Sequence, residues 1–258
     1  IKTSSTGIIK YYGYFSANKV GIRNPSLDTL DYKDAFSISN FNMYHNLSYR
    51  ELLGNGWKLN TGFSFTTNRD HIEGNLLDEQ NKEQTIPGLE FKNFNVLQPG
   101  KYFNARVVVD KRLKGISVIR FGTEYNYSHD KTWYTLYTGD QFSDGIVENM
   151  SAFFSETDVY LTNDLAMKVG GRFEHSSLLK KSNIAPRISL AYKTGKKSQA
   201  SVAYGIFYQN PENKFLPTPD VLTFSKATHY IAQYQKVTDK VTFRMEVFYK
   251  KYSDLIKT

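Results

Sequence analysis

Hydrophobic and polar side chains alternate along most of the chain with a period of two residues. One clear series places apolar side chains at Ile188, Leu190 and Tyr192 and polar ones at Arg187, Ser189 and Lys193. Successive side chains of a β-strand point to opposite faces, so this period predicts strands with one apolar and one polar face. No segment shows a convincing helical amphipathic period, and we therefore predict an all-β chain.

Eleven segments carry this alternation, and each is predicted to form one strand. Their ranges are 7–17, 36–53, 56–72, 102–113, 116–130, 149–162, 165–177, 185–194, 197–209, 226–236 and 240–253. Most of them have roughly 10–17 residues, whereas strands of soluble proteins usually have about 5–6. A strand that spans a membrane needs about 9–11 residues, plus whatever projects beyond the bilayer. The lengths therefore favour strands that cross a membrane.

The predicted connections alternate between short and long. The short ones are 53–56, 114–115, 163–164, 193–196 and 237–239, and the long ones are 18–35, 73–101, 131–148, 178–184 and 210–225. Short turns at one end and long polar loops at the other are typical of outer-membrane barrels. Aromatic residues suited to interfacial girdles are Trp57, Tyr49, Tyr192 and Tyr234 at the turn end and Tyr125, Tyr127, Tyr208 and Tyr249 at the loop end.

These features predict an antiparallel transmembrane β-barrel whose apolar face meets lipid and whose polar face lines the lumen. Bacterial single-chain barrels have an even number of strands, so eleven strands predict that residues 1–258 are one segment of a larger barrel. The signal peptide and the remaining strands would then lie outside this segment. The alternative is a soluble carbohydrate-binding β-sandwich, in which the same apolar residues would form a dry core.

Composition narrows the chemistry. The chain has 258 residues, a formal charge of +8 and no cysteine, which excludes a disulfide scaffold, a zinc ribbon and a cysteine nucleophile. No apolar run is long enough for a transmembrane helix. The five histidines are scattered without ligand spacing, and no G-x-S-x-G motif is present. We therefore predict no metal site, no cofactor and no enzymatic activity.

The basic residues are distributed over the polar strand faces and do not form one patch. The set comprises Lys10, Lys58, Arg106, Arg120, Lys168, Arg172, Arg187 and Arg244, with Asp110, Glu124, Glu174 and Glu246 among the acidic residues nearby. Such a mixture suits the wet, charge-balanced wall of a lumen. It argues against a nucleic-acid interface, which needs clustered positive charge.

Several stretches resemble a known family. Residues 183–193, with the sequence NIAPRISLAYK, resemble barrel strands of TonB-dependent receptors. Residues 198–205 and 208–211 look like the next strand and the start of an outer loop, and 226–230 and 243–252 look like two further strands. The resemblance is clearest over 149–256, weaker over 1–148, and has the character of receptors from Bacteroidetes-type bacteria. These motifs indicate a barrel and no particular ligand.

The resemblance implies an outer-membrane barrel of about 22 strands that is closed by a plug domain. It implies import of a scarce ligand, such as a siderophore, cobalamin, a glycan or a peptide, with energy supplied through TonB. The implied partners are outer-membrane lipid, the protein's own plug, the TonB complex, a small ligand and a surface lipoprotein, and nucleic acid is not among them. The alternative within the same fold is an unplugged diffusion porin or a structural barrel.

The predicted mechanism is capture and gated passage without covalent chemistry. Loops 73–101, 131–148 and 210–225 are predicted to take up ligand. The candidates for ligand-path or plug contact, predicted to lie near the outer strand ends, are Arg120, Glu124, Asn126, Arg172, Glu174 and Gln209. Contact with the plug or the wall is favoured over contact with the ligand for all six.

Overall fold

The computed structural model describes residues 1–113, 115, 117–211 and 222–255. They form one antiparallel sheet of eleven strands, each hydrogen-bonded to the next in chain order. The strands are β1 (Ile8–Pro25), β2 (Lys33–Gly54), β3 (Trp57–Leu77), β4 (Phe94–Arg112), β5 (Val118–Leu136), β6 (Gln141–Tyr160), β7 (Leu165–Ser176), β8 (Lys181–Gly195), β9 (Ser198–Gln209), β10 (Ser225–Val237) and β11 (Thr242–Ser253). A 3₁₀ helix, Glu90–Lys92, lies between β3 and β4. In the described ranges, no helix is long and apolar enough to cross a membrane.

The all-β prediction and all eleven predicted strands are confirmed. The turn between β2 and β3 shows why its sequence forms a hairpin. Gly54, Asn55 and Gly56 have φ values of 84°, 48° and 77°, a left-handed backbone that glycine and asparagine tolerate best.

The predicted loop lengths are partly wrong. Residues 131–136 and 141–148 continue β5 and β6, so the predicted loop 131–148 is a turn of residues 137–140. The predicted loop 178–184 shortens to 177–180, and 73–101 shortens to 78–93. Of the predicted loop 210–225, residues 212–221 lie outside the described residues. Strand ends that project beyond lipid have water on both faces, so they need no apolar alternation and look like loops in the sequence.

Strand length divides the sheet into two parts. Strands β2–β6 have 19–22 residues, whereas β7–β11 have 12–15. The connections at the turn end are short throughout, so the extra length extends the other end of the sheet. We call this other end the loop end. At about 3.3 Å per residue, the additional residues raise β2–β6 well above their neighbours at the loop end.

Directly opposite residues of paired antiparallel strands share a face, so the register divides the sheet into a polar and an apolar face. The apolar face is exposed. Phe153, Phe173 and Ile184 are directly opposite one another on β6, β7 and β8 and are 54%, 45% and 66% exposed. The eight predicted girdle aromatics all lie on this face. A sandwich would bury these side chains against a second sheet; the described residues form one sheet, so the sandwich alternative is wrong.

Candidate functional site

A row of alternating charges crosses the polar face near the turn end. Lys58, Asp110, Arg120 and Glu156 are directly opposite one another on β3, β4, β5 and β6. Arg120 Nε donates to Asp110 Oδ1 at 2.6 Å, and Arg120 Nη1 donates to Glu156 Oε1 at 2.8 Å. Lys58 Nζ lies 3.6 Å from Asp110 Oδ2. We call these four residues the ionic row.

The ionic row combines two carboxylates with a single guanidinium. Asp110 is only 7% exposed, so its charge depends on Arg120 and Lys58 for compensation. The fork of Arg120 reaches both neighbouring strands at once, which a lysine ammonium on the same strand does less well. Lys168 adds a weaker contact, with Nζ 3.8 Å from Glu156 Oε1. The row therefore ties four strands together across their polar face.

A second cluster lies farther from the turn end. Arg172 Nε donates to Glu174 Oε1 at 2.5 Å, and Arg172 Nη1 donates to Glu124 Oε2 at 3.3 Å. The side-chain amide of Asn126 donates to Glu124 Oε1 at 3.3 Å. Asn104 Nδ2 donates to Asn126 Oδ1 at 2.6 Å. Charge and amide groups thus form one continuous network from β4 to β7.

Phe154 lies between the two clusters on the polar face. Arg106 and Arg172 place their guanidinium carbons 5.5 and 5.9 Å from the centre of its ring, within the range of a cation–π contact. Gly122, directly opposite Phe154 on β5, makes room for the ring, because a Cβ there would lie 2.1 Å from it. The glycine thereby fixes where the two arginines are held.

The two clusters surround a depression of about 490 Å³. Its lining includes Lys58, Asn60, Arg106, Asp110, Arg120, Phe154, Glu156, Gly170, Arg172, Glu174 and Arg187. We call this depression the arginine cleft. Most of its charged side chains are lysine or arginine, which are hydrogen-bond donors, so the cleft is suited to bind groups with acceptor oxygens. In the described part of the chain, no group of three or more His, Cys, Asp or Glu side chains is arranged to hold a metal ion.

The structure brings five of the six predicted site residues into this network. Arg120 belongs to the ionic row, and Glu124, Asn126, Arg172 and Glu174 form the second cluster. Gln209 ends β9 at the loop end and is exposed, apart from the other five. The predicted position near the outer strand ends is wrong for Arg120, Glu124 and Asn126, which are the third, seventh and ninth of the 19 residues of β5 counted from the turn end.

The polar-face placement of the eight basic and four acidic residues named from the sequence is confirmed by the register. Sequence reasoning missed the roles of Glu156, Asn104 and Phe154. Their alternation places them on the polar face, but their partners depend on cross-strand register, which the pattern alone does not give.

The polar face of β1–β3 has different chemistry. Tyr12, Tyr14 and Tyr44 form a cluster with ring centres 5.7–6.1 Å apart. Asn42 and Asn68 are directly opposite on β2 and β3, and their Oδ1 atoms are buried without a hydrogen-bond partner in the described ranges. We call this region the tyrosine–amide side. Around these five residues, the polar face offers neutral donors, acceptors and aromatic rings.

The loop 78–93 is fastened to the sheet at the loop end. Lys92 Nζ lies 2.6 Å from Asp28 Oδ2 and 2.8 Å from Asp34 Oδ1, and it donates to Ser26 Oγ at 2.9 Å. Burial disfavours the ammonium, but the hydrogen bonds to Asp28 and Asp34 outweigh it and raise the pKa of Lys92 above its usual value. The loop is therefore an ordered part of the rim.

Two further side chains of this loop satisfy its backbone. Asn93 accepts from the Leu76 N–H at 2.7 Å and donates to the Gln84 carbonyl at 2.8 Å. Asp78 accepts from the Lys82 N–H at 2.8 Å. This hydrogen bond and that from Gln84, opposed by partial burial, lower the pKa of Asp78 below its usual 3.8.

An antiparallel sheet with an exposed apolar face and an ion-paired polar face defines the wall of a membrane β-barrel. A family model described as the TonB-dependent receptor-like β-barrel matches residues 3–258. The chain belongs to this family, and the family places it in the outer membrane. A search among curated proteins finds no match.

Solved structures show the same fold at low sequence identity. The outer-membrane transporter YddB from Escherichia coli matches with a TM-score of 0.71 and 11% identity over 96% of this chain and 38% of its own. A mutant of the ferric enterobactin receptor PfeA from Pseudomonas aeruginosa matches with a TM-score of 0.68 and 11% identity over 97% and 44%. The ferric preacinetobactin receptor BauA from Acinetobacter baumannii matches with a TM-score of 0.62 and 11% identity over 95% of this chain and 44% of its own. The chain thus spans about two fifths of the length of these structures.

Proposed function

We propose that the chain is part of the barrel wall of an outer-membrane TonB-dependent receptor that imports a scarce ligand by binding and gated passage. The observation that carries this proposal is the contrast between the two faces of one sheet. Phe153 and Ile184 are exposed on the apolar face, while Asp110 is nearly covered within the ionic row on the other. A wall between lipid and a wet interior requires this contrast. The matched family and its solved neighbours are receptors and transporters, which supports transport over enzymatic activity.

The domain proposal follows from the same sheet. Strands β1 and β11 are its two edges. A sheet in lipid must have both edges paired, so residues 1–258 are proposed as one part of a barrel of about 22 strands. The plug, the signal peptide and the remaining strands would belong to the full-length protein.

The proposed ligand is a siderophore, cobalamin, a glycan or a peptide. The names of two neighbours, a ferric enterobactin receptor and a ferric preacinetobactin receptor, make ferric chelates the first class to test. The loop 78–93 and the predicted loop 210–225 would contribute to uptake. The six predicted site residues are proposed as plug or wall contacts first and ligand-path contacts second.

The proposed partners are outer-membrane lipid, the protein's own plug and the TonB complex. A surface lipoprotein partner and an origin in Bacteroidetes-type bacteria remain predictions of the sequence resemblance. The second candidate function is an unplugged diffusion porin, for which the wet, ion-paired polar face would equally serve as a pore lining.

Uptake by the full-length protein tests the proposal. The protein is expressed in cells that lack other receptors, and a panel of radiolabelled ferric chelates, cobalamin, oligosaccharides and peptides is supplied at submicromolar concentration. We expect saturable accumulation of one ligand that disappears when TonB is deleted. Accumulation that rises linearly with concentration and is independent of TonB would instead establish the diffusion porin.

A further inference from the structure

Two arginines of the arginine cleft have no ion pair among the described residues. Arg106 and Arg187 both line the arginine cleft. In the part of the chain that the structure describes, neither has a carboxylate oxygen within 4.0 Å. A guanidinium has five N–H donors, so these two side chains present many donors without a charged acceptor.

The carboxylates of the cleft are already engaged elsewhere. Glu124 is directly opposite Arg106, yet its oxygens accept from Arg172 and from the amides of Asn104 and Asn126. Glu156 accepts from Arg120, and Glu174 accepts from Arg172. Among the described residues, these three glutamates therefore contact other donors and not Arg106 or Arg187.

Aromatic rings hold both guanidinium groups in place. The guanidinium carbon of Arg106 is 5.5 Å from the ring centre of Phe154, and that of Arg187 is 4.7 Å from that of Phe207. In a cation–π contact the guanidinium lies against the face of the ring. Its N–H groups then remain free to donate the in-plane hydrogen bonds that a carboxylate accepts. The two side chains are thus positioned while their directional donors stay available.

Glycines flank both arginines on the neighbouring strands. Arg187 is flanked on its two neighbouring strands by Gly170 and Gly205, and Arg106 is opposite Gly62 on β3. The charge alternation that begins at Lys58 ends at Glu156, because Gly170, directly opposite Glu156, carries no side chain. The two positions directly opposite Arg187 are glycines and therefore supply it with no carboxylate.

We infer that the arginine cleft is a carboxylate-binding site in which Arg106 and Arg187 are the principal donors. Arginine forks match carboxylates, as Arg172 and Arg120 do in the same wall. The carboxylate comes from a small ligand or from an acidic side chain of a protein segment inside the barrel. The inference rests on the proposed function only in placing the cleft in the barrel interior.

Zero-length coupling in the full-length protein tests for a protein carboxylate. Arg106→Lys and Arg187→Lys place an amine in the cleft, and a water-soluble carbodiimide joins it to a carboxylate in contact. We expect coupling, identified by mass spectrometry, to an acidic residue outside the wall. Native Lys58 beside Asp110 at 3.6 Å is the positive control for access of the reagent. Native Lys10, a polar-face lysine outside the cleft lining, is the control for nonspecific coupling.

Succinate binding tests for a free carboxylate. If a small ligand supplies the group, succinate binds the wild-type protein and uncharged succinamide does not. The Arg106→Gln/Arg187→Gln variant then binds succinate at least tenfold more weakly, whereas Lys10→Gln leaves binding unchanged. If the double glutamine variant fails to fold, succinate binding is measured on the lysine variants, which keep both positive charges but lack the guanidinium fork.

Each outcome decides the inference. Coupling to an acid outside the wall supports a protein source, and arginine-dependent succinate binding supports a ligand source. Coupling only to Glu124, Glu156 or Glu174, or neither signal while Lys58 still couples, overturns the inference. TonB-dependent uptake by cells that produce the same wild-type protein shows separately whether the proposed function holds.

Discussion

The two sides of the polar face differ in chemistry although they share one backbone architecture. Across β4–β7, the polar face carries ion pairs such as those of Arg120 and Arg172. Across β1–β3, it carries the tyrosine cluster and side-chain amides. Within the membrane-spanning part of the strands, the apolar face shows no such division, because it meets a single solvent there. The comparison teaches that the membrane fixes one face of each strand and leaves the other free to acquire binding chemistry.

Removal of Arg120, on the ion-paired side of the polar face, should have the largest effect on stability. Arg120→Gln leaves Asp110 and Glu156 without their shared guanidinium. We expect the free energy of unfolding of the full-length protein in micelles to fall by about 2–4 kcal/mol. The control is Arg50→Gln on β2, an exposed arginine without a salt bridge in the described ranges. If both variants lost the same free energy of unfolding, the ion-paired side and the tyrosine–amide side would not differ in stability.

Two glycines sharpen the comparison at the level of packing. Gly122→Ala places a Cβ 2.1 Å from the Phe154 ring, whereas Gly62→Ala meets no atom within 4 Å. We expect Gly122→Ala to lower the free energy of unfolding by about 1–3 kcal/mol through overpacking. Gly62→Ala should be neutral or slightly stabilising, since alanine restricts the unfolded chain. Thermal unfolding of the two variants measures this, and a neutral Gly122→Ala would contradict the packing around Phe154.

The sequence predicts the apolar face of the sheet better than it predicts the contacts on the polar face. The strands were predictable where lipid enforces alternation, as from Phe243 to Val247 on β11. The strand ends at 131–136 and 141–148 were not, because water on both faces removes the pattern. The polar-face position of Arg120 was predictable, but its partners were not. Asp110 and Glu156 are 10 and 36 residues away, and only the register brings them together.

Lys92 offers a smaller, local test above the tyrosine–amide side. Lys92→Met removes the contacts to Ser26, Asp28 and Asp34. We expect proteolytic cleavage within 78–93 to accelerate roughly 5–30-fold, the equivalent of about 1–2 kcal/mol of local stability. Lys82→Met, in the same loop and without a salt bridge in the described ranges, is the control. Unchanged cleavage in Lys92→Met would show that Asn93 and the backbone hold the loop alone.

The smallest expected effect is the pH dependence of the same loop. The pKa of Asp78 is lowered on folding, so its contribution is complete above pH 3.8 and is lost as the pH falls through the lower folded value. Hydrogen-exchange protection of the Lys82 backbone amide, corrected for intrinsic rates, should be equal at pH 7 and 5 and fall below pH 3.8. Asp78→Asn should abolish that fall. A change between pH 7 and 5 would assign the loop's stability to another group.

The most direct test of the central claim is the environment of alternate residues on β5 in the native membrane. The chain contains no cysteine, so single cysteines at 119, 121 and 123–127 can be spin-labelled in a full-length protein freed of any other thiol. We predict that labels at 119, 121, 123, 125 and 127 collide preferentially with oxygen dissolved in lipid. Labels at 124 and 126 should collide with a water-soluble nickel reagent. Absence of this alternation, or its reversal, would contradict the account of a wall with lipid on one face and water on the other.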